Sequence, residues 1–295
     1  MRVSRRKTTE GEPVGYAVGE LETAKAAESD AAAAGFFDVD NTMLQGASVY
    51  YLARGLAARR YFSARDLAVF GLKQLRFRLL AAEHGGHVSQ AREQALAFVA
   101  GRPVEQLRQL AEEIFDELMA ERIWAGTHAL ARGHIDAGQR VWLVTAAPVE
   151  IGMVIAQRLG LTGAIGTVAE IADGVYTGRL VGGLMHGPAK AEAIIDLARQ
   201  EGLDLARCAA YSDSINDVPM LSAVGRPVAV NPDSALRRVA REKGWEIRDF
   251  RTARRAARIA VPTALGAGAI AGAVAAAVML NRRGAFRALR RRPRA

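Results

Sequence analysis

Cysteine is almost absent from this sequence of 295 residues, which contains a single one, Cys208. One cysteine excludes an internal disulfide framework and favours a reducing compartment. The first 30 residues also lack a long apolar run of the kind that forms the middle of a secretory signal. These two absences predict a cytoplasmic location for the body of the protein.

Acidic residues are missing after residue 250, and this absence accounts for the basic character of the whole chain. The formal net charge is +9, from 40 Lys and Arg against 31 Asp and Glu. Residues 251–295 hold 11 arginines and no acid, which leaves 29 basic and 31 acidic residues in the first 250. The body is therefore close to neutral, and nucleic acid is not an expected partner.

The distribution of apolar residues predicts four regions. Residues 1–32 are charged and glycine-containing and read as a disordered leader. Residues 47–124 space their apolar positions at three and four, which predicts a block of helices. Residues 33–46 and 125–250 frame that block and form the core domain, and 251–295 is a basic tail.

The core region alternates strand and helix patterns. "RVWLVTAAP" predicts a buried strand, "VEIGMVIAQRLGL" the helix after it, and "CAAYSDSINDVPML" a strand, a loop and a helix. "EIADGVYTGRL" predicts a hairpin around Asp173 and Gly174. This alternation indicates an α/β fold, with a parallel sheet and helices on both faces.

Polar residues follow the predicted strands at four places, and active sites of such sheets lie at the carboxyl ends of their strands. The first stretch, "FFDVDNTM", carries two acids one residue apart, whose like charges repel unless a cation lies beside them. Carboxylates suit Mg²⁺, and a lysine with a hydroxyl group suits the oxygens of a phosphate. The four sets of residues are Asp38 with Asp40, Thr145, Lys190, and Asp213 with Asp217.

Taken singly, each of these motifs is also typical of a turn, a helix cap or a solvated helix face. Together, in this order and spacing, they resemble the haloacid dehalogenase superfamily. The helical block after the first motif resembles the C1 cap of subfamily IB, the branch that contains the phosphoserine phosphatases. The resemblance covers roughly residues 34–250 and implies a Rossmann-like core with an inserted helical cap.

The resemblance also implies a role for each residue. Asp38 is the expected nucleophile, which forms an aspartyl-phosphate, and Asp40 the expected general acid and base. Thr145 and Lys190 are expected to bind the phosphoryl oxygens. Asp38, Asp213 and Asp40, the last through its backbone carbonyl, are the expected ligands of Mg²⁺, with support from the set Asp217, Asn216 and Ser212.

The resemblance leaves the substrate open beyond a small-molecule phosphomonoester. Phosphoserine phosphatases of this branch usually carry a glutamate soon after the first motif and a Ser-Gly-Gly second motif. The corresponding stretches here are "LQGASVYYLARG" and "TAAP", which argues against phosphoserine. A phosphotransferase or phosphomutase of the same superfamily, or a non-catalytic membrane-associated scaffold, are the alternatives.

Residues 259–280 form an uncharged segment of 22 residues, long enough to cross a bilayer as a helix. Four arginines precede this segment from residue 251 onward and seven follow it. The pattern predicts a C-terminal hydrophobic helix that anchors a cytoplasmic body to membrane lipid at the inner face of the cell membrane. Gly268 and Gly272 form a G-x-x-x-G pair, which favours helix pairing and hence a homodimer.

Overall fold

The computed structural model describes residues 2–6, 16–20, 30–61 and 99–251. Contacts divide the chain into two compact units. The first consists of residues 1–48, 119–168 and 181–261, and the second of residues 49–118, 169–180 and 262–295. The predicted division at residues 47 and 124 stays a prediction, and the predicted helices between residues 62 and 98 lie outside the described residues.

The first unit is built on an eight-stranded sheet. Along the chain its strands are β1 (Arg2–Arg6), β2 (Tyr16–Glu20), β3 (Ala34–Asp38), β4 (Arg140–Pro148), β5 (Gly163–Thr167), β8 (Ala209–Ser212), β9 (Arg226–Val230) and β10 (Glu246–Arg248). In space their order is β1-β2-β5-β4-β3-β8-β9-β10. All neighbours from β5 to β10 are parallel, so the predicted parallel sheet is confirmed.

Helices cover both faces of this sheet, as the alternation predicts. On one face α5 (Pro188–Glu201), α6 (Val218–Ser222) and α7 (Ser234–Glu242) bury a continuous apolar core against the strands. On the other lie α3 (Ala125–Asp136) and α4 (Val149–Leu159). This unit also contains two three-residue 3₁₀ turns, at Ala120–Arg122 and Ile215–Asp217.

Strands β1 and β2 fall in the segment that the sequence predicts to be a disordered leader. They pair with each other in antiparallel fashion, and β2 pairs in the same way with β5. The outer edge of β5 offers unpaired backbone N–H and C=O groups, which a further strand satisfies. The structure places these ten residues in strands, which differs from the prediction of disorder. Residues 1, 7–15 and 21–29 of the same segment lie outside the described part.

The second unit contains two described helices and a hairpin. Helices α1 (Ser48–Ala58, of which all but Ser48 belong to this unit) and α2 (Val104–Ile114) confirm the helical prediction for these two stretches. A π-helical turn, Phe115–Met119, of which all but Met119 belong to this unit, follows α2. The hairpin consists of β6 (Ala169–Ala172) and β7 (Val175–Leu180), with the predicted Asp173–Gly174 pair at its turn. Both turn residues have a positive φ, of 49° and 76°, as a two-residue hairpin loop requires.

Among the described residues no helix is long and apolar enough to cross a membrane. The predicted membrane segment, residues 259–280, is not among those residues. The hydrophobic tail helix therefore stays a prediction from the sequence.

Candidate active site

Strands β4, β3 and β8 lie side by side, so the chain segments that follow them meet at one edge of the sheet. Asp38 is the last residue of β3 and is opposite Val144 in the register with β4, which places Thr145 one residue further along. Asp213 comes directly after β8. The predicted convergence of these motifs is thus present in the fold.

Stacked rings fix the ends of β3 and β8 relative to each other. Phe37 and Tyr211 each come shortly before an acidic residue, and their rings stack with centroids 4.0 Å apart. The Tyr211 hydroxyl lies 2.7 Å from Nε2 of His134 on α3. This buried contact couples the two strands that carry Asp38 and Asp213.

Lys190 is the centre of the carboxylate cluster. It lies in the first turn of α5 and is 3% exposed. Its Nζ donates to Oδ1 of Asp38 at 2.5 Å and to Oδ2 of Asp217 at 2.8 Å. Burial lowers the pKa of Lys190, but the two carboxylates outweigh burial and raise this pKa above its usual value. The lysine therefore stays charged between two acids that come from different strand ends.

The acids of the cluster outnumber this lysine. Burial raises the pKa of Asp38 to about 7, against the attraction of Lys190 and with a further contribution from Asp217. Burial and the charge of Asp38 raise the pKa of Asp213 to about 8. The pKa of Asp40 is also raised, mainly by burial. When these carboxyl groups are ionised, they carry more negative charge than Lys190 balances, so a further cation would favour their ionised forms.

Asp40 lies in a tight turn and not on the strand. β3 ends at Asp38, and Asn41 adopts a left-handed conformation with a φ of 60°. Asn41 closes the turn by accepting a hydrogen bond from the Gly46 N–H at 3.1 Å. The Asp40 carboxylate accepts the Ser48 N–H at 2.8 Å, which fixes its orientation.

Of the predicted supporting residues, Ser212 bonds to a buried acid and Asn216 does not. Ser212 donates to Oδ2 of Asp217 at 2.7 Å and so joins the buried cluster. Asn216 is exposed and bonds to Ser214, at 3.3 Å, rather than to an acid. Thr145 is buried, and its hydroxyl accepts the Ala147 N–H at 3.1 Å.

Thr42 is a site residue that the sequence analysis missed. It is fully buried, and its hydroxyl lies 3.4 Å from Oδ1 of Asp213, a residue 171 positions away. Its position four residues after Asp38 in "DVDNT" was the available signal. Thr42 links the segment after β3 to the segment after β8.

No group of three or more His, Cys, Asp or Glu side chains arranged to hold a metal occurs in the part of the chain that the structure describes. The predicted magnesium ligands are two carboxylates, Asp38 and Asp213, and the main-chain carbonyl of Asp40. Such a set uses only two side chains, and Mg²⁺ takes its remaining ligands from water and phosphate.

Comparisons with known proteins assign the family. A family model for haloacid dehalogenase-like hydrolases matches residues 36–222. The chain belongs to the haloacid dehalogenase-like hydrolase family. This assignment confirms the resemblance drawn from the four motifs.

Two curated relatives and one solved structure resemble this haloacid dehalogenase-like hydrolase closely. A putative hydrolase of Mycobacterium leprae is 60% identical, over 81% of this chain and 80% of its own length. The protein named phosphoserine phosphatase SerB1 of Mycobacterium tuberculosis is 59% identical, over 81% and 78%. A Bordetella pertussis protein of unknown function is 32% identical, with a TM-score of 0.64 over 74% of this chain and 98% of its own. The predicted class of enzyme, a phosphatase of this family, is confirmed.

Proposed function

We propose that this phosphatase hydrolyses small phosphomonoesters with Mg²⁺ and through an aspartyl-phosphate on Asp38. The observation that carries the proposal is the bridge from Lys190 to Asp38 and Asp217 at adjoining strand ends. A carboxylate held against a buried lysine beside further acids provides a nucleophile and the charges that phosphoryl transfer requires. The family and the named phosphatase relative support the same reaction.

In the first step, an oxygen of Asp38 forms a bond to phosphorus and the bond from phosphorus to the leaving oxygen breaks. Asp40 gives its proton to that oxygen, and the turn that fixes its carboxylate on the Ser48 N–H holds it in position. In the second step, water attacks the phosphorus, Asp40 takes its proton, and the bond to Asp38 breaks. Lys190 and Thr145 bind the phosphoryl oxygens in both steps.

The residues present fit a bound Mg²⁺. The donors are oxygen atoms, and the acidic side chains around Lys190 exceed its single positive charge. Asp38, Asp213 and the carbonyl of Asp40 would hold the ion, with Asp217 acting through water or through Lys190. When bound, Mg²⁺ would supply charge neutralisation and orientation for the phosphate.

Phosphate release from p-nitrophenyl phosphate tests this function. We expect turnover with Mg²⁺, less than about one hundredth of it in EDTA, and recovery when Mg²⁺ is added back. Full activity in EDTA would contradict the metal requirement. Transfer of the phosphoryl group to an added alcohol without phosphate release would favour the alternative of a phosphotransferase.

A panel of phosphomonoesters, compared by kcat/KM, addresses the substrate. The name of the Mycobacterium tuberculosis relative makes phosphoserine the first compound to test, whereas the missing glutamate and the "TAAP" motif argue against it. We expect phosphoserine to show no preference over other small phosphomonoesters. A kcat/KM for phosphoserine more than tenfold above the rest would contradict the argument from the sequence.

The basic tail is proposed to hold the protein on the inner face of the cell membrane. The uncharged residues 259–280 between two arginine groups support this proposal. We expect full-length protein in the membrane fraction after a high-salt wash, and a version ending at Arg251 soluble and active. The truncation point keeps the contact of Arg251 with Pro232. Full-length protein released by salt alone would show that arginines bind lipid headgroups without insertion.

A further inference from the structure

The loop after β9, residues 231–233, touches the loop that carries Asp213. The Asp233 N–H donates to the backbone carbonyl of Asp213 at 2.8 Å. The Asp233 carboxylate, through Oδ2, accepts the N–H of Ile215 at 3.1 Å. Two hydrogen bonds from one residue therefore hold the backbone at Asp213 and two positions beyond it.

Asp233 is itself fixed by helix α7, of which it is the N-cap. Its other oxygen, Oδ1, accepts the Leu236 N–H at 2.7 Å. Leu236 is fully buried in the core between helices and sheet. The two oxygens of the Asp233 carboxylate thus connect the N-terminus of α7 to the loop that carries Asp213, a predicted metal ligand.

The opposite side of the loop is anchored by residues at the end of the body. Asn231, with a φ of 48°, accepts the Phe250 N–H on its side chain at 2.7 Å. Its own N–H donates to the Arg248 carbonyl, also at 2.7 Å. The Arg251 guanidinium donates to the carbonyl of Pro232 at 3.1 Å. The loop at residues 231–233 is therefore held by hydrogen bonds on both sides, and it can fix the position of the neighbouring loop that carries Asp213.

We infer that Asp233 is a positioning residue that holds Asp213 in place for the metal, an inference that rests on the proposed function. Within the described part of the chain, the Asp213 side chain receives a single, long hydrogen bond, from Thr42 at 3.4 Å. The backbone bonds from Asp233 therefore contribute to the position of this carboxylate, together with its attraction to Lys190 and Arg251. Loss of groups that orient a ligand typically weakens metal binding by about 10- to 100-fold.

The variant Asp233→Ser separates the two contacts of this carboxylate, the helix cap at Leu236 and the hydrogen bond from Ile215. Serine is a good N-cap, so its hydroxyl keeps the bond to Leu236, but it has no second oxygen for Ile215. We expect the Kd for Mg²⁺, measured by calorimetry on the full chain, to rise about tenfold or more. We also expect kcat with p-nitrophenyl phosphate to recover at saturating Mg²⁺, and the Tm in EDTA to stay near that of the unchanged protein.

Asp204→Ser is the matched control, because Asp204 bonds the Ala206 N–H in a turn before β8, at the opposite end of that strand. Its Mg²⁺ affinity should equal that of the unchanged protein. Asp233→Asn, nearly isosteric, provides a second variant in which the amide replaces one of the two acceptors, and it should weaken Mg²⁺ binding as well.

Two results would overturn the inference alone. One is a Mg²⁺ affinity within twofold of the unchanged protein in both Asp233 variants. The other is a lowered Tm with unchanged Mg²⁺ affinity, which would mean that Asp233 serves only the fold. Unchanged protein that binds no Mg²⁺ would instead overturn the proposed function and this inference with it.

Discussion

Replacement of Asp38 by asparagine should lower phosphate release from p-nitrophenyl phosphate by on the order of 10³-fold or more, because an amide oxygen is a poor nucleophile. The fold should survive, since the amide is nearly isosteric and its oxygen still accepts the Lys190 ammonium group. The Tm in EDTA should stay unchanged or rise, because one of the crowded negative charges is removed. Steady-state kinetics at saturating Mg²⁺ and thermal unfolding in EDTA measure the two effects.

Asp204→Asn is a suitable control for this experiment, since it makes the same chemical change on an exposed aspartate outside the cluster. It should retain full activity. If Asp38→Asn kept activity within tenfold of the unchanged protein, the aspartyl-phosphate mechanism would be wrong. If its Tm fell by several degrees, the account of excess negative charge would be wrong instead.

The sheet could be predicted from the sequence where its strands are apolar and followed by helices. Strands β3, β4, β8 and β9 combine both features, and each of them is present with parallel neighbours. Strands β1 and β2 could not be predicted in this way, because β2 adds to the edge of β5 and β1 adds to β2. Pairing with a distant strand leaves little signal in segments of only five residues.

The acids of the site could be predicted because strand ends concentrate at one edge of a parallel sheet. The residues that hold those acids in place were harder to predict from the sequence. Ser48 acts through its backbone N–H, a group that every residue except proline carries. Asp233 has the appearance of an ordinary helix cap in "NPDSALRR", but its N–H and its second oxygen both bond to the loop of Asp213. Such long-range bonds depend on the fold rather than on local pattern.

Replacement of Lys190 by methionine should have the opposite effect on stability from the change at Asp38. Methionine fills much of the volume, but it leaves Asp38 and Asp217 buried without their cation. Removal of one partner from a buried ion pair typically costs about 3–5 kcal/mol. We expect a loss of free energy of unfolding of about 3 kcal/mol at neutral pH in EDTA, together with loss of phosphate release. Chemical denaturation and the p-nitrophenyl phosphate assay measure these changes.

The pH dependence of this loss has a definite sign. Asp38 already has a folded-state pKa raised to about 7, against 3.8 as the ordinary value, so its folded form binds protons more readily than its unfolded form. A group of this kind destabilises the fold increasingly as pH rises between those values. Without Lys190, whose charge lowers the folded-state pKa values of Asp38 and Asp213, these two values rise further. The stability deficit of Lys190→Met should therefore be small near pH 4 and grow toward pH 8.

Lys243→Met is the matched control, because Lys243 is exposed and lies over the ring of Trp245, at 5.5 Å, rather than among acids. It removes the same charge and should change neither activity nor the pH dependence of stability. In the Lys190→Met background, a second change of Asp38 to asparagine should restore part of the lost stability, since it removes one of the two acids that Lys190 pairs with. A deficit that is independent of pH, or that the second change leaves untouched, would mean that Lys190 stabilises the fold by packing rather than by neutralising the carboxylates.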